Sequence, residues 1–152
     1  MIVALSAAAL LMATGVFVFS RSIFAGYGCT EEIEELLPAL ESLSVLDAHP
    51  DSAEEEGGRR SGCESDDEYV YVRKSYRSPL PPASLTQFYE QAAVADGWTR
   101  CSPYLKGVFL FEKPLQKTLM NLSVAFPKNA PKGNEGEYEI EVRVSNENYG
   151  KC

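Results

Sequence analysis

Residues 69–77 read YVYVRKSYR, and this stretch sets the fold. It is rich in β-branched and aromatic side chains that alternate with polar ones, the composition of a strand. Pro79, Pro81 and Pro82 stop it, with Pro82 suited to the first turn of a following helix. In that helix, Ala83 to Asp96, the residues Leu85, Phe88, Tyr89, Ala92 and Ala93 recur at i, i+3, i+4, i+7 and i+8. They form one core-facing stripe, and Gly97 serves as the C-cap. Trp98–Tyr104, Val108–Lys113, Lys117–Phe126 and Glu137–Ser145 read as strands separated by turn-rich stretches such as PKNAPKG at 127–133. The last of them, EYEIEVRV, alternates charged with apolar residues, so one face is wet and the other buried. The order predicts an α+β fold: a small antiparallel sheet packed on one helix, with a β-α-β-β-β core.

Upstream, Thr30 is placed to cap a helix whose first turn holds Glu31 and Glu32. Ile33, Leu36, Leu37, Leu40 and Leu43 give that helix an apolar face, which Pro38 ends or kinks near Leu37. Ser44–Ala48 reads as a short strand. Asp51–Asp67, with Gly57, Gly58, Gly62 and many charges, reads as a mobile, solvated loop. Further back, Ile2–Ser20 is nineteen residues without a charged side chain, closed by Arg21. As a helix it covers roughly 28 Å, near the thickness of a bilayer's hydrocarbon layer. A transmembrane helix is therefore expected at the N-terminus. The organisation is an anchor over 1–25, an acidic helix and loop arm over 26–68, and an α+β domain over 69–152 that can recruit the strand at 44–48.

The anchor has two competing fates. The segment before the apolar core lacks the basic residue of a secretory signal, and the core is longer than a signal needs. Cys29 after Gly26-Tyr27-Gly28 resembles a lipoprotein acylation site, but Gly26 stands where an aliphatic residue is usual. Retention as an anchor fits best. Ala9 and Ala13, with Ser6 and Gly15 nearby, form a small-residue stripe against which another helix could pack. Ordinary alanine-rich anchor composition accounts for the same residues.

Charge is unevenly spread. The chain carries −8 overall, with −12 between Thr30 and Glu68 and +3 from Tyr69 to Cys152. No clustered basic face is present for nucleic acid, and the acidic arm is repelled by anionic headgroups.

Tyr76-Arg77-Ser78, the proline-rich stop, Phe88-Tyr89 and then Gly97-Trp98 resemble a "YRS…FY…GW" pattern of small bacterial lipoproteins and membrane-anchored extracytoplasmic domains, especially actinobacterial ones. The likeness spans roughly residues 44–145. It implies a βα unit followed by a meander, extracytoplasmic and non-catalytic, with no catalytic residues to carry over.

Cys29, Cys63, Cys101 and Cys152 are even in number, widely spaced and free of any C-x-x-C pair. That argues for two structural disulfides over a metal or redox site. Three pairings are open. The preferred one closes the acidic segment with Cys29–Cys63 and fastens the C-terminus with Cys101–Cys152. His49, the one histidine, sits beside Asp51 and Glu54–Glu56, but a lone loop histidine is ordinarily solvated. The acidic run lacks the D-x-D-x-D-G spacing of a calcium loop. The sequon at Asn121 falls within a strand and reads as chance. No serine lies in a nucleophile elbow. No catalytic, metal or cofactor residues emerge, and no cofactor is expected.

Tyr69, Tyr71, Tyr76, Phe109 and Phe111 are the candidate docking residues, since alternation places some strand aromatics on an outer sheet face. The expected function is that of a single-pass membrane protein, its domain on the extracytoplasmic side, acting as an accessory subunit of a membrane protein complex. Residues 2–20 would hold the lipid bilayer. The alternative is a free-standing envelope protein that binds a small ligand.

Overall fold

The computed structural model describes residues 29–64, 68–101, 108–127 and 136–145. Among the described residues six strands form one sheet: β1 (Glu54–Glu64), β2 (Tyr69–Arg77), β3 (Thr99–Arg100), β4 (Val108–Leu115), β5 (Thr118–Ala125) and β6 (Glu137–Ser145). Their spatial order is β1-β2-β6-β5-β4-β3, and every described pairing is antiparallel. The helices are α1 (Glu31–Glu34), α2 (Leu37–Glu41) and α3 (Pro82–Ala95), with a 3-10 turn at Ser44–Leu46.

This corrects the expected β-α-β-β-β core. Glu54–Glu64, read as a loop, is an eleven-residue edge strand on β2. It escaped notice because its inward positions are Glu55, Arg59, Ser61 and Cys63, which find partners on Lys74 or on the arm, so no apolar alternation marks it. Ser44–Ala48 is a 3-10 turn in place of a strand. The arm's helix is two separate turns, since Pro38 falls at the start of α2 and cannot donate the bond that would continue α1. Among the described residues no helix is long and apolar enough to cross a membrane. Residues 2–20, including Ser6, Ala9, Ala13 and Gly15, lie outside them.

Strand alternation divides the sheet into two faces. On the inner face β2 buries Val70, Val72, Lys74 and Tyr76, β6 buries Tyr138, Ile140, Val142 and Val144, and β5 buries Met120, Leu122 and Val124. Helix α3 lays Leu85, Tyr89 and Ala93 against them, and the arm adds Ile33, Leu40, Val45 and Leu46. The helix ends in a Schellman cap: Trp98 N–H donates to Ala93 O (2.9 Å) and Gly97 N–H to Val94 O (3.0 Å), with Gly97 at φ +83°.

Three tyrosines occupy the middle of this layer. Tyr76 and Tyr138 face each other in the β2–β6 register and stack with centroids 5.6 Å apart. Tyr89 meets Tyr138 edge-on at 5.7 Å. Tyr76 Oη donates to Leu46 O (2.7 Å) and Tyr89 Oη to Ala48 O (2.8 Å), leaving Tyr138 Oη to donate to Tyr89 Oη (3.1 Å). Buried carbonyls without a donor are costly, so these bonds let the arm cross the core. Cys29–Cys63 closes its outer end across 34 residues of sequence.

All seven residues of the YRS…FY…GW pattern do structural work. Arg77 pairs with Glu137, Ser78 N–H donates to Gly136 O, and Phe88 packs edge-on against Tyr89. Tyr76, Tyr89, Gly97 and Trp98 act as described above.

Tyr76→Phe keeps the ring stack and removes only the hydroxyl, leaving the Leu46 carbonyl unpaired. Urea unfolding should show a loss of about 1–3 kcal/mol. Replacing Cys29 and Cys63 together by alanine should cost about 3–4 kcal/mol by the loop-entropy estimate, read from the same curves. Gly136→Ala drives Cβ into the Ser78 carbonyl oxygen and should destabilise more than Gly57→Ala, whose Cβ meets no atom within 4 Å.

Candidate functional site

Helix α3 and the arm both sit on the inner face. Among the described residues no helix covers the outer one, which is built from the outward positions of β1, β2 and β6. In register, Tyr69, Tyr71, Arg73, Ser75 and Arg77 of β2 lie opposite Ser145, Arg143, Glu141, Glu139 and Glu137 of β6. Between β2 and β6 no like charges stand opposite each other, and the long side chains reach across strands. Arg73 spans Glu141 (2.9 Å) and Glu139 (3.8 Å). Arg77 Nη2 lies 2.8 Å from Glu137, and its Nε is 2.8 Å from Glu56 in a charge contact without hydrogen-bond alignment. Arg60 of β1 donates to Ser75 Oγ (3.1 Å) and lies 3.4 Å from Glu139. Half-exposed pairs of this kind contribute at most about 1 kcal/mol each. Their effect is to hold the arginines in fixed places.

Two of those places are over tyrosines. The Arg73 guanidinium carbon sits 4.1 Å above the Tyr71 ring, and that of Arg143 sits 5.6 Å above Tyr69. The two rings are 6.0 Å apart. Gly62 faces Tyr71 from β1, and a Cβ there would lie 3.2 Å from Tyr71 Oη, so the glycine makes room for the ring. Beneath Arg73, Glu141 is only 14% exposed. Burial pushes its carboxyl up and the arginines draw it back, with the net shift upward. Burial, with the Glu141 charge, also raises the Tyr69 hydroxyl. The centre of the face is thus a partly desolvated Tyr–Arg island ringed by charge.

At one end of that face a cleft of 570 Å³ opens between the β1 bulge and the end of β5. Arg60, Ser75 and Glu139 line one side, and Ala125, Phe126 and Pro127 the other. A second, of 370 Å³, shares Phe126, Pro127 and Glu137 with it.

On the inner face the charged node is Lys74, 6% exposed. Its ammonium meets Glu55 (2.5 Å) and Asp47 (2.9 Å), and Asp47 also binds Arg59 (2.7 Å). Burial opposes the lysine charge, but hydrogen bonds to Glu55 and Asp47 outweigh it and hold the group above its ordinary range. The hydrogen bond from Lys74 likewise holds Asp47 below the usual carboxylate range. A buried charge paired in this way fastens arm to sheet, and losing one partner is what would cost stability.

The predicted docking aromatics separate. Tyr69 and Tyr71 are on the outer face. Tyr76 and Phe111 are fully buried in the core and drop out as docking residues, because their positions share the parity of Val72 and Leu122. Phe109 is inward too, half-buried against Phe126 with centroids 6.1 Å apart. Cys29–Cys63 forms as expected. Cys101, 7% exposed, is also disulfide-bonded; Cys152 lies outside the described residues. His49 packs over Tyr76 at 5.2 Å with Nδ1 3.0 Å from Pro50 O, apart from any ligand set. Among the described residues no three of His, Cys, Asp and Glu are grouped to hold a metal. Sequence reasoning missed Gly62, Arg73, Glu141 and Arg143. The alternation in YVYVRKSYR and EYEIEVRV marks three of them as outward-facing, and only the strand register brings them to the tyrosines.

No protein-family model, curated protein or solved structure matches the chain.

Because the folded Asp47 carboxyl is more acidic than in the unfolded chain, its contribution is complete above the ordinary carboxylate range. It is lost as pH falls through the lowered folded value. Asp47→Asn should therefore reduce thermal stability at neutral pH and show a shallower acid limb. The two melting-temperature profiles should converge at low pH.

Proposed function

We propose that this chain is a non-catalytic binding module that docks on a membrane protein complex as an accessory subunit, using the outer face of its sheet. The observation that carries this reading is the Tyr69–Tyr71–Arg73–Arg143 island. Tyrosine and arginine are the side chains that concentrate binding energy at protein interfaces. Here they are held in place by Gly62, Glu139 and Glu141, so little side-chain freedom is lost on docking. The apolar stretch 2–20 would keep the protein at a membrane, where shared anchoring raises the effective concentration of a partner and makes a modest interface sufficient. The Cys29–Cys63 bridge agrees with a domain on the oxidising, extracytoplasmic side.

The alternative, a free-standing envelope protein for a small ligand, draws support from the cleft beside the island. There Arg60 and Ser75 converge over the apolar wall of Ala125, Phe126 and Pro127.

Purification of the full chain from native membranes in gentle detergent separates the two. The docking reading expects membrane-protein subunits at fixed stoichiometry, retained by wild type and lost by Tyr69→Ala/Tyr71→Ala at unchanged circular dichroism. A double variant that keeps its partners would contradict it. A wild-type protein that elutes without stoichiometric partners and releases a small molecule on denaturation would establish the alternative, with Arg60→Ala releasing less.

A further inference from the structure

We propose that β1 is a self-association edge, at which a second copy of this chain adds its own β1 in antiparallel fashion about a two-fold axis normal to the sheet. The inference is independent of what the outer face binds.

β1 ends the strand order, and among the described residues no backbone hydrogen bond leaves its far side. Eleven residues long, it has Glu54, Glu55, Gly57, Arg59, Arg60, Ser61 and Glu64 exposed. The opposite edge, β3, has only two residues. An open edge of this length is a template for another strand.

The charges say which strand. Glu54-Glu55-Glu56 lies on one side of Gly57-Gly58 and Arg59-Arg60 on the other, so the edge changes sign about its glycines. Glu54 and Arg60 stand level with Arg77 and Arg73. A two-fold axis level with Ser75 therefore sets Glu54 opposite Arg60 and Glu55 beside Arg59 in the bulge, each twice. The two copies' Glu56 then lie at the axis, each already paired with its own Arg77. The faces agree as well. Glu54 and Arg60 lie opposite Arg77 and Arg73, both outward. Glu55 lies opposite the inward Tyr76 and reaches Lys74, and Arg59 reaches Asp47 on the arm above that same face. Two-fold symmetry and strand pleat are thus satisfied by one register, as an isologous interface requires.

Charges and bulges on an edge also serve to repel other strands. A repelling edge carries one sign, so that a copy meets its like. This edge carries both signs in antisymmetric order, so that a copy meets its complement. The bulge falls at Gly57 and Gly58, φ +77° and +73°, where a Cβ would meet nothing within 4 Å. The backbone beside the axis is therefore free of side chains at its two glycines.

Native mass measurement of the full chain in detergent tests the pairing. Wild type should dimerise, more weakly as salt rises. Glu54→Arg/Glu55→Arg puts arginine against arginine in all four pairs and should weaken the dimer about tenfold or more. Arg59→Glu/Arg60→Glu should do the same with glutamates. Mixed together, the two variants should form a heterodimer of wild-type strength, which also shows that both are folded. Glu54→Arg and Arg60→Glu, which leave the arm's contacts intact, should repeat the pattern at smaller amplitude. A wild type that stays monomeric to about 0.5 mM, self-association indifferent to these reversals, or a mixture that forms no heterodimer would each overturn the proposal.

Discussion

The hydroxyls of Tyr76 and Tyr89 donate to the carbonyls of Leu46 and Ala48, and the layout of the inner layer depends on those two bonds. The segment 44–50 has no ladder partner of its own, yet it runs over the buried centre of a sheet. Backbone oxygens in that position must find donors or remain in water. Tyrosine supplies a donor at the tip of an apolar ring, so the same residue fills the core and satisfies the crossing chain. Once the arm is fixed there, Asp47 is carried to Lys74, and Arg59 and Ser61 of β1 find acceptors on the arm. The edge strand and the arm therefore support each other, and Cys29–Cys63 closes the loop at their far end.

Among the described residues, helix and arm lie together on one side of the sheet, and the other side carries ion pairs and no helix. Arg60, Arg73 and Arg77 are shared among Glu56, Glu137, Glu139 and Glu141 across strands, each pair weak but the set fixing those side chains. Over Tyr71 and Tyr69 lie the guanidinium groups of Arg73 and Arg143. A surface so arranged combines low rotational freedom with aromatic area, which is the physical basis for reading it as a docking face. On β2 and β6 its charges balance, three arginines against three glutamates, so partner choice there would rest on shape and stacking more than on long-range attraction.

Much of the fold was legible. YVYVRKSYR and EYEIEVRV announce their strands by period, and the sheet confirms Tyr69–Arg77 and Glu137–Ser145 as β2 and β6. The stripe of Leu85, Tyr89 and Ala93 is buried as its spacing requires. β1 was not legible, because an edge strand whose inward side chains are polar has no apolar signal, and the two glycines read as a turn. Its bulge, three residues set against Lys74, is where those glycines belong. Ser44–Ala48 looked like a strand from Val45 and Leu46, which are buried; a 3-10 turn buries them equally well. Of the candidate site, Tyr69 and Tyr71 were visible from alternation. Their arginines needed the register of β2 against β6, which is a property of the assembled sheet.

Native-state amide hydrogen exchange tests the central claim, that arm, tyrosines and sheet form one cooperative unit. The amides of Leu46, Asp47 and Ala48 donate to Leu43, Ser44 and Val45 within a single turn, and a turn of that kind on its own exchanges quickly. If the tyrosine bonds hold the arm in place, these amides exchange only through global unfolding, with the same free energy as those of Val72 and Val142. Exchange at the rate of a free turn, while the sheet stays protected, would show that the arm opens independently and that the tyrosine bonds do not hold the layer together.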